Sequence, residues 1–139
     1  MYLIDTNVIS ELRKRSKANR GVRAFFKRVA QEGAQVFISV VTVGELRRGV
    51  ELIRHRGDQR QARQLEKWLD QLLVDYEDCV LDITADIAQL WGRLRVPHPE
   101  NALDKQIAAT ALIYDLIVVT RNHKDFSKTD VQLLNPFEE

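Results

Sequence analysis

Carboxyl and amide side chains stand just after the predicted strands, or at the start of the predicted helices, at four places in this sequence. In a parallel sheet such strand-to-helix connections lie along one edge, where α/β proteins bind their ligands. Carboxylates that meet at this edge repel one another unless a cation lies between them. Their hard oxygens favour Mg²⁺ or Mn²⁺ over zinc. The side chains are Asp5, Glu45, Asp104, and the neighbouring pair Asn122 and Asp125.

Each of these acids also has a purely structural interpretation as part of a helix cap. The candidate pairs of cap and acid are Thr42 with Glu45, Asn101 with Asp104, and Asn122 with Asp125. Their spacing is that of a capping box, and Asp5 is a possible cap for the first helix. For any single residue a cap is the commoner role. A helix start also stabilises an ionised carboxylate, so a capping acid stays charged and available to a metal. The coincidence of four acidic corners on one predicted edge favours a functional site.

Apolar runs and helical stripes alternate along the chain and predict the elements that hold these side chains. Residues 2–4 are typical of a strand buried on both faces, and a helix begins directly after Asp5. A helical stripe over 22–30 is closed by Gly33. The other predicted elements are strands at 36–39, 79–81, 116–119 and 131–134, and helices at 43–53, 62–76, 87–94 and 103–112. This order predicts one α/β domain over 1–139, a three-layer α/β/α sandwich with a mostly parallel four- or five-stranded sheet.

Composition is that of an ordinary globular protein. Of the 139 residues, 45% are apolar and 29% are charged, which suffices for a sizeable core. The single cysteine, Cys79, excludes an internal disulfide and a zinc framework. No signal peptide is expected before the first strand, and no apolar run approaches the roughly 20 residues of a membrane span. These features predict a cytoplasmic protein.

Basic residues are concentrated in two segments, although the net charge is only +1. One segment covers residues 13–28 and the other covers residues 47–63. Such segments either contact phosphate groups or form solvated helix faces. For any single basic residue, the solvated face is the commoner role.

Four sequence motifs resemble those of the PIN domain, and more narrowly the VapC and FitB-like toxin ribonucleases of bacterial toxin–antitoxin pairs. They occur in family order and close to family spacing over essentially the whole chain. The motifs are Leu3-Ile4-Asp5-Thr6-Asn7, the segment from Ser39 to Leu46, the segment from Asp104 to Ala111, and the segment from Val119 to Phe126. The resemblance implies a PIN-like sandwich, Mg²⁺- or Mn²⁺-dependent endoribonuclease activity, a small antitoxin partner and a toxin homodimer or higher assembly.

The resemblance also assigns site residues. It carries over Asp5, Glu45 and Asp104 as the metal-binding acidic core. Asn122 occupies the place where some relatives have aspartate, and Asp125 follows one turn later, so either residue is a candidate to complete the site. Lys105 and Gln106 are more polar than the residues common there. Beyond the resemblance, Thr6 and Thr120 are candidates to orient the acids or touch phosphate, although Thr6 is equally a candidate local cap. Asn7 would bond a carboxylate or simply satisfy the helix start, and Arg121 would contact the RNA backbone or face solvent.

Two other functional classes remain open at this level. A binding module of the same fold that has lost cleavage would retain the acids without turnover. A haloacid dehalogenase-like phosphatase also begins with an aspartate after its first strand, but it needs a second acid two residues later, where this sequence has Asn7. His98 and His123 are not needed by an acidic site, and Trp68 and Trp91 are expected in the core or at an interface.

Overall fold

Five strands and six α-helices make up residues 1–138, the part of the chain that the computed structural model describes. The strands are β1 (Tyr2–Ile4), β2 (Val36–Ser39), β3 (Val80–Leu81), β4 (Ile117–Val119) and β5 (Leu133–Leu134). The helices are α1 (Thr6–Glu11), α2 (Arg20–Glu32), α3 (Val40–His55), α4 (Gln59–Asp75), α5 (Ala85–Leu94) and α6 (Ala102–Tyr114). Short 3₁₀ helices cover Leu12–Lys17, Glu77–Cys79, His123–Phe126 and Pro136–Glu138. No helix in the described range is long and apolar enough to cross a bilayer.

The strands form one parallel sheet in the order β3-β2-β1-β4-β5. β1 lies at the centre, with Leu3 opposite Phe37 of β2 and Val118 of β4. Because all five strands run the same way, their carboxyl ends share one edge of the sheet. The predicted mostly parallel sheet is confirmed, in its five-stranded form.

Helices cover both faces of this sheet, and the alternation along β1 shows how. Ile4 packs in a core cluster with α1, α2, α3 and α4, whereas Leu3 packs with α6 on the other face. Both side chains are fully buried. Successive side chains of a strand point to opposite faces, so an apolar run without alternation requires cover on both sides. The α/β/α layering is confirmed.

Most predicted elements agree with the structure, but the start of α3 differs. The sequence prediction begins this helix at Val43, whereas it begins at Val40, directly after β2. Ser39 is the cap, and its hydroxyl accepts a hydrogen bond from the N–H of Val41 at 3.0 Å. The capping box of Thr42 and Glu45 is therefore wrong. The β-branched run at 40–43 has low helix propensity, and burial of Thr42 against the site overrides it.

Two further predicted caps are also wrong, and one is correct. Asn101 precedes α6 in the left-handed conformation, and its side chain makes no capping bond. Asn122 likewise makes no side-chain capping bond to the 3₁₀ helix that follows it. Asp5 does cap α1, because its Oδ1 accepts from the N–H of Thr6 at 2.8 Å. Asp104 and Asp125 are thus not accounted for by capping boxes.

Candidate functional site at the carboxyl ends of the strands

Asp5 is a buried carboxyl group that three protein donors hold in place. It follows β1 at the centre of the sheet and is 3% exposed. Its Oδ1 accepts from the Thr6 N–H, and its Oδ2 accepts from the Thr120 hydroxyl at 2.8 Å and the Asn7 amide at 3.2 Å. Burial raises the pKa of Asp5 above its ordinary value of 3.8, whereas the Thr120, Thr6 and Asn7 bonds oppose the rise and Glu45 adds to it. The donors therefore favour the ionised form at a position where burial disfavours it.

Asn7 and Thr120 connect β1 to β4 across this edge. The two residues lie after adjacent strands, and the Asn7 amide is 3.3 Å from the Thr120 hydroxyl. The Asn7 Oδ1 accepts from the N–H of Arg121, and the Thr120 hydroxyl accepts from the N–H of Asn122. Both side chains therefore serve as links between the end of β4 and Asp5. This is the orienting role that the sequence proposed for them.

Glu45 is brought to the site by a threonine pair on α1 and α3. The Thr6 hydroxyl donates to Glu45 Oε1 at 2.7 Å and lies 3.4 Å from the hydroxyl of Thr42. Thr42 is fully buried one helical turn before Glu45. The sequence prediction missed the role of Thr42 beside Thr6. Thr42 lies three residues before Glu45 on the same helix face, and this spacing is the sequence signal that could have predicted its role.

Asp104 is the acid whose ionisation the site disfavours most clearly. It lies half-buried in the first turn of α6. Burial, followed by the nearby carboxyls of Asp5, Asp125 and Glu45, raises the pKa of Asp104 from 3.8 to about 7. These couplings place three carboxyl groups, those of Asp5, Asp125 and Glu45, within electrostatic reach of Asp104 at one edge of the sheet. Strongly perturbed acids of this kind are typical of functional sites.

Asp125, rather than Asn122, interacts electrostatically with this acidic group. Asp125 lies in the 3₁₀ helix after β4, and its charge contributes to the raised pKa of Asp104. Asn122 is exposed, and the bond that ties it to the site comes from its backbone N–H, not its amide. Of the two candidates for a fourth acidic position, the geometry favours Asp125.

Arg121 is exposed and packs against the C-terminal segment. Its guanidinium carbon lies 3.8 Å from the centre of the Phe137 ring, a cation–π contact that fixes the Pro136–Glu138 turn near β4. His98 and His123 contribute no contact to the acids: the His98 ring faces Glu100 at 3.6 Å, and His123 is exposed. Trp68 packs against the core, and Trp91 donates to the Ala102 carbonyl at 2.8 Å.

The acids fit a hard divalent cation in donor type and charge. Asp5, Glu45, Asp104 and Asp125 offer only carboxylate oxygens, and a cation would relieve the repulsion that raises the pKa of Asp104. Within residues 1–138, however, no three His, Cys, Asp or Glu side chains are grouped closely enough to hold a metal ion as they stand. The site is thus matched to a cation chemically, while ligation requires the carboxyl groups to turn towards a common centre.

Fold and site together define an α/β protein with an acidic cluster at the carboxyl ends of its strands. Residues 2–132 match the family model of the PIN domain. The chain is 32% identical to Toxin FitB of Neisseria gonorrhoeae, with 100% of both chains covered. It is 30% identical to VapC ribonuclease Y4jK of Sinorhizobium fredii, with 99% of each covered. The chain belongs to the PIN domain family, as the four motifs indicated.

Solved structures agree with this assignment over the whole chain. The crystal structure of FitAcB from Neisseria gonorrhoeae contains a chain with a TM-score of 0.85 and 33% identity, with 100% of both chains covered. In FitAB bound to an IR36 DNA fragment, the matching chain has a TM-score of 0.83 and 31% identity, with 99% of this chain and 96% of that chain covered. The PIN-like fold class is therefore confirmed.

Proposed function

We propose that this chain, as a single domain over residues 1–139, is a Mg²⁺- or Mn²⁺-dependent endoribonuclease that hydrolyses RNA phosphodiester bonds. The observation that carries the proposal is the meeting of Asp5, Glu45 and Asp104 at one strand edge, where their coupling contributes to a pKa of about 7 for Asp104. The name of the Sinorhizobium relative, a VapC ribonuclease, supports the same reaction.

The proposed roles follow from how each acid is held. Asp5, Glu45 and Asp104 would hold the ion, with Asp125 as the fourth acid. Once bound, such an ion supplies an activated water and neutralises charge that develops on the phosphate. Thr120 and Asn7 orient Asp5 and favour its ionised form, and Thr6 fixes one oxygen of Glu45. Asp104 must be ionised to hold the ion, so binding of the metal to the free protein is expected to weaken below about pH 7.

Conservative substitutions of the acids test the proposal. Asp5→Asn and Glu45→Gln should each abolish cleavage of a structured RNA, because each removes a charge while preserving side-chain size. Glu51→Gln is the matched control, since Glu51 lies on the same helix α3 but is ion-paired with Arg54. EDTA should stop cleavage by the wild type, and added Mg²⁺ or Mn²⁺ should restore it. Full cleavage by Asp5→Asn and Glu45→Gln, at wild-type thermal midpoints, would contradict the assignment.

Cleavage also separates the two competing functions. A silent binding module would bind RNA without producing new ends at any metal concentration. The phosphatase alternative is disfavoured by Asn7, which stands where that chemistry needs an acid and instead bonds Asp5 and the Arg121 N–H. Release of phosphate from a monoester substrate, without RNA cleavage, would reverse this preference.

We further propose that the chain is the toxin of a VapBC-type pair, which acts in the cytoplasm and assembles with a small antitoxin, as a homodimer or larger complex. The similarity to FitB and to the FitAB structure supports this partner. A cleft of about 240 Å³ begins at Thr6 and Glu45 and continues between α3 and α4. Apolar side chains line most of it, including Leu46, Val50, Ile53, Leu65, Trp68 and Leu69. An apolar antitoxin segment bound there would reach the acids.

Growth and binding experiments test this partner. Expression of the chain alone should arrest growth and produce new RNA ends, and co-expression of its antitoxin should prevent both. Ile53→Glu places a charge in the cleft without touching the acids, so it should retain cleavage and lose protection by the antitoxin. Undiminished protection of Ile53→Glu would place the antitoxin elsewhere.

A further inference from the structure

A second cleft borders the acidic site at Asp125 and shares no lining residue with the apolar cleft. It has a volume of about 210 Å³ and is lined by Glu100, Asn101, Lys105, Lys124, Asp125, Ser127 and Lys128. Asp125 belongs both to this cleft and to the group of acids that raises the pKa of Asp104. A molecule that occupies the cleft therefore lies directly beside the reaction centre. Since a water molecule takes up roughly 30 Å³ of liquid, a larger group has room there.

Lys105 is the unusual residue of this cleft. It directly follows Asp104 on α6 and is 2% exposed, although lysine is rarely buried without a carboxylate partner. Its ammonium group donates to the backbone carbonyl of His98. A lysine ammonium has three donors, so two N–H groups remain after this bond. The carbonyl offers only a partial charge, and Lys105 also attracts the nearby Glu100 carboxylate, so an anion in the cleft would share its positive charge with Glu100.

The other donors also favour an anion. Within residues 1–138 the side chain of the exposed Lys124 makes no hydrogen bond or ion pair, and the Asn101 side chain does not cap α6. Lys128 lies 3.8 Å from Glu100. The backbone N–H of Glu100, followed by nearby Lys105, His98 and Lys128, keeps the pKa of this carboxyl below 4.5 despite some desolvation. A carboxylate is thus already stabilised at this position.

Charge and donor chemistry select the class of ligand. Three lysines against two acids leave the lining with a charge of +1, and the start of α6 adds the positive end of a helix dipole. The two acids of the lining would repel an anion only weakly. Glu100 is paired with Lys128, and Asp125 interacts with Asp104. A group with a single delocalised negative charge and several acceptor oxygens suits such a site. A phosphodiester has this chemistry.

We propose that this cleft, which we call the lysine cleft, binds a backbone phosphate of the RNA substrate close to the bond that is cleaved. The inference rests on the proposed ribonuclease function and adds a positioning site to it. Lys105 and Lys124 would contact the phosphate directly. Lys128 would leave its ion pair with Glu100 and contact the phosphate instead. Such a contact sets the register of the strand over the acids without reading base sequence.

Salt dependence of RNA binding tests the lysine cleft. Affinity of a fluorescein-labelled single-stranded RNA 12-mer is measured by anisotropy in EDTA at several salt concentrations, with gels to verify that the RNA stays intact. Each phosphate contact contributes about 0.7 to the slope of log Kobs against log salt for a single strand. Because the cleft holds one phosphate, the double variant Lys124→Ala/Lys128→Ala should lower the slope by about 0.7. Lys67→Ala removes an exposed lysine of α4 that lies outside the cleft and outside both basic segments, and it should leave the slope unchanged.

A second measurement locates the contact along the RNA. In a series of 12-mers, each oligonucleotide carries one neutral methylphosphonate in place of a phosphate. In the wild type one position near the cleaved bond should cost affinity, and the same position should cost much less in Lys124→Ala, because contacting groups are not additive. Lys105→Met, which keeps the aliphatic stem, should show the same loss of dependence if its thermal midpoint indicates a folded protein.

The outcomes separate this inference from the function on which it rests. If the wild type binds and cleaves RNA but the slope and the position dependence are the same in the Lys124 and Lys128 variants, the lysine cleft is not a phosphate site. If the wild type neither binds nor cleaves RNA under any metal condition, the ribonuclease function and the cleft assignment both fail. Loss of affinity in Lys67→Ala equal to that of the double variant would indicate nonspecific surface charge and would likewise contradict the cleft.

Discussion

Replacing Asp104 by asparagine should stabilise the folded protein at neutral and alkaline pH. The folded-state pKa of Asp104 is about 7, above the ordinary value of 3.8, because of burial and the neighbouring acids. The folded protein therefore binds this proton more tightly than the unfolded chain does between about pH 4 and pH 7. Its free energy of unfolding falls as the pH rises through that window. Asparagine has the same size and no charge, so Asp104→Asn removes this part of the fall.

The magnitude follows from the size of the pKa change. A rise from 3.8 to about 7 is about three pKa units, and one unit corresponds to about 1.4 kcal/mol. The resulting value of about 4 kcal/mol is an upper bound, because Asp104 is only half-buried and water screens its charge. We expect about 2 kcal/mol at pH 8. For a chain of this length that corresponds to roughly 6 °C in thermal midpoint.

Denaturant unfolding of the two proteins in EDTA, at pH 8 and at pH 3.5, measures the effect. Asp104→Asn should be more stable than the wild type at pH 8 and equal to it at pH 3.5, where both states hold the proton. Asp78→Asn is the matched control, since Asp78 is exposed in the turn before β3, at the opposite end of the sheet. If Asp104→Asn has wild-type stability at pH 8, the acids do not repel one another as the structure indicates.

Three further substitutions test the support of the site and of the core. Thr120→Val removes the hydroxyl that donates to Asp5 Oδ2 and should lower the free energy of unfolding by about 1.5–3 kcal/mol at pH 8. The loss should be smaller at pH 3.5, where Asp5 is protonated. Equal losses at both pH values would contradict the role of the bond. Asp125→Asn should reduce RNA cleavage and Asn122→Ala should not, and the opposite order in initial rates would place the fourth acid at residue 122. Phe25→Ala opens a cavity beside β1 and should lower the free energy of unfolding by roughly 3–5 kcal/mol, whereas a loss under 1 kcal/mol in urea titration would show that the cluster collapses around it.

The fold could be predicted from the sequence because its strands lack alternation. The runs at 2–4, 36–39 and 116–119 are apolar on both faces, which only a sheet covered by helices on both sides accommodates. Gly33 ends α2 in the left-handed conformation, at φ 65°, as its position after the helical stripe indicated. The start of α3 could not be predicted locally. Its first turn consists of β-branched residues, and packing of Val41 and Val43 into the two cores, with Thr42 buried against the distant Thr6, accompanies their helical conformation.

The acids of the site could be predicted from the sequence, but their supporting contacts could not. Asp5, Glu45 and Asp104 follow from strand-end positions and from the family resemblance. The bond between Thr6 and Glu45 joins residues 39 positions apart, and the bond between Thr120 and Asp5 joins residues 115 positions apart. Such pairs depend on the register of β1 against its neighbours, which composition and periodicity do not specify. The choice of Asp125 over Asn122 likewise depends on how the turn after β4 folds.

At Asp5 the helix-cap interpretation and the acidic-site interpretation are compatible, whereas at Asp104 the helix-cap interpretation does not hold. Asp5 uses Oδ1 to cap α1 and Oδ2 to bind Thr120 and Asn7, so the cap itself fixes the carboxyl at the strand edge. Within residues 1–138 no hydrogen bond reaches the Asp104 carboxyl, which is therefore exposed to the repulsion of its neighbours without compensation. A half-buried acid without donors and beside other carboxyl groups lowers the stability of the fold, and fold stability alone does not account for its presence. One fixed acid beside one uncompensated acid is the arrangement expected where an external positive charge completes the site.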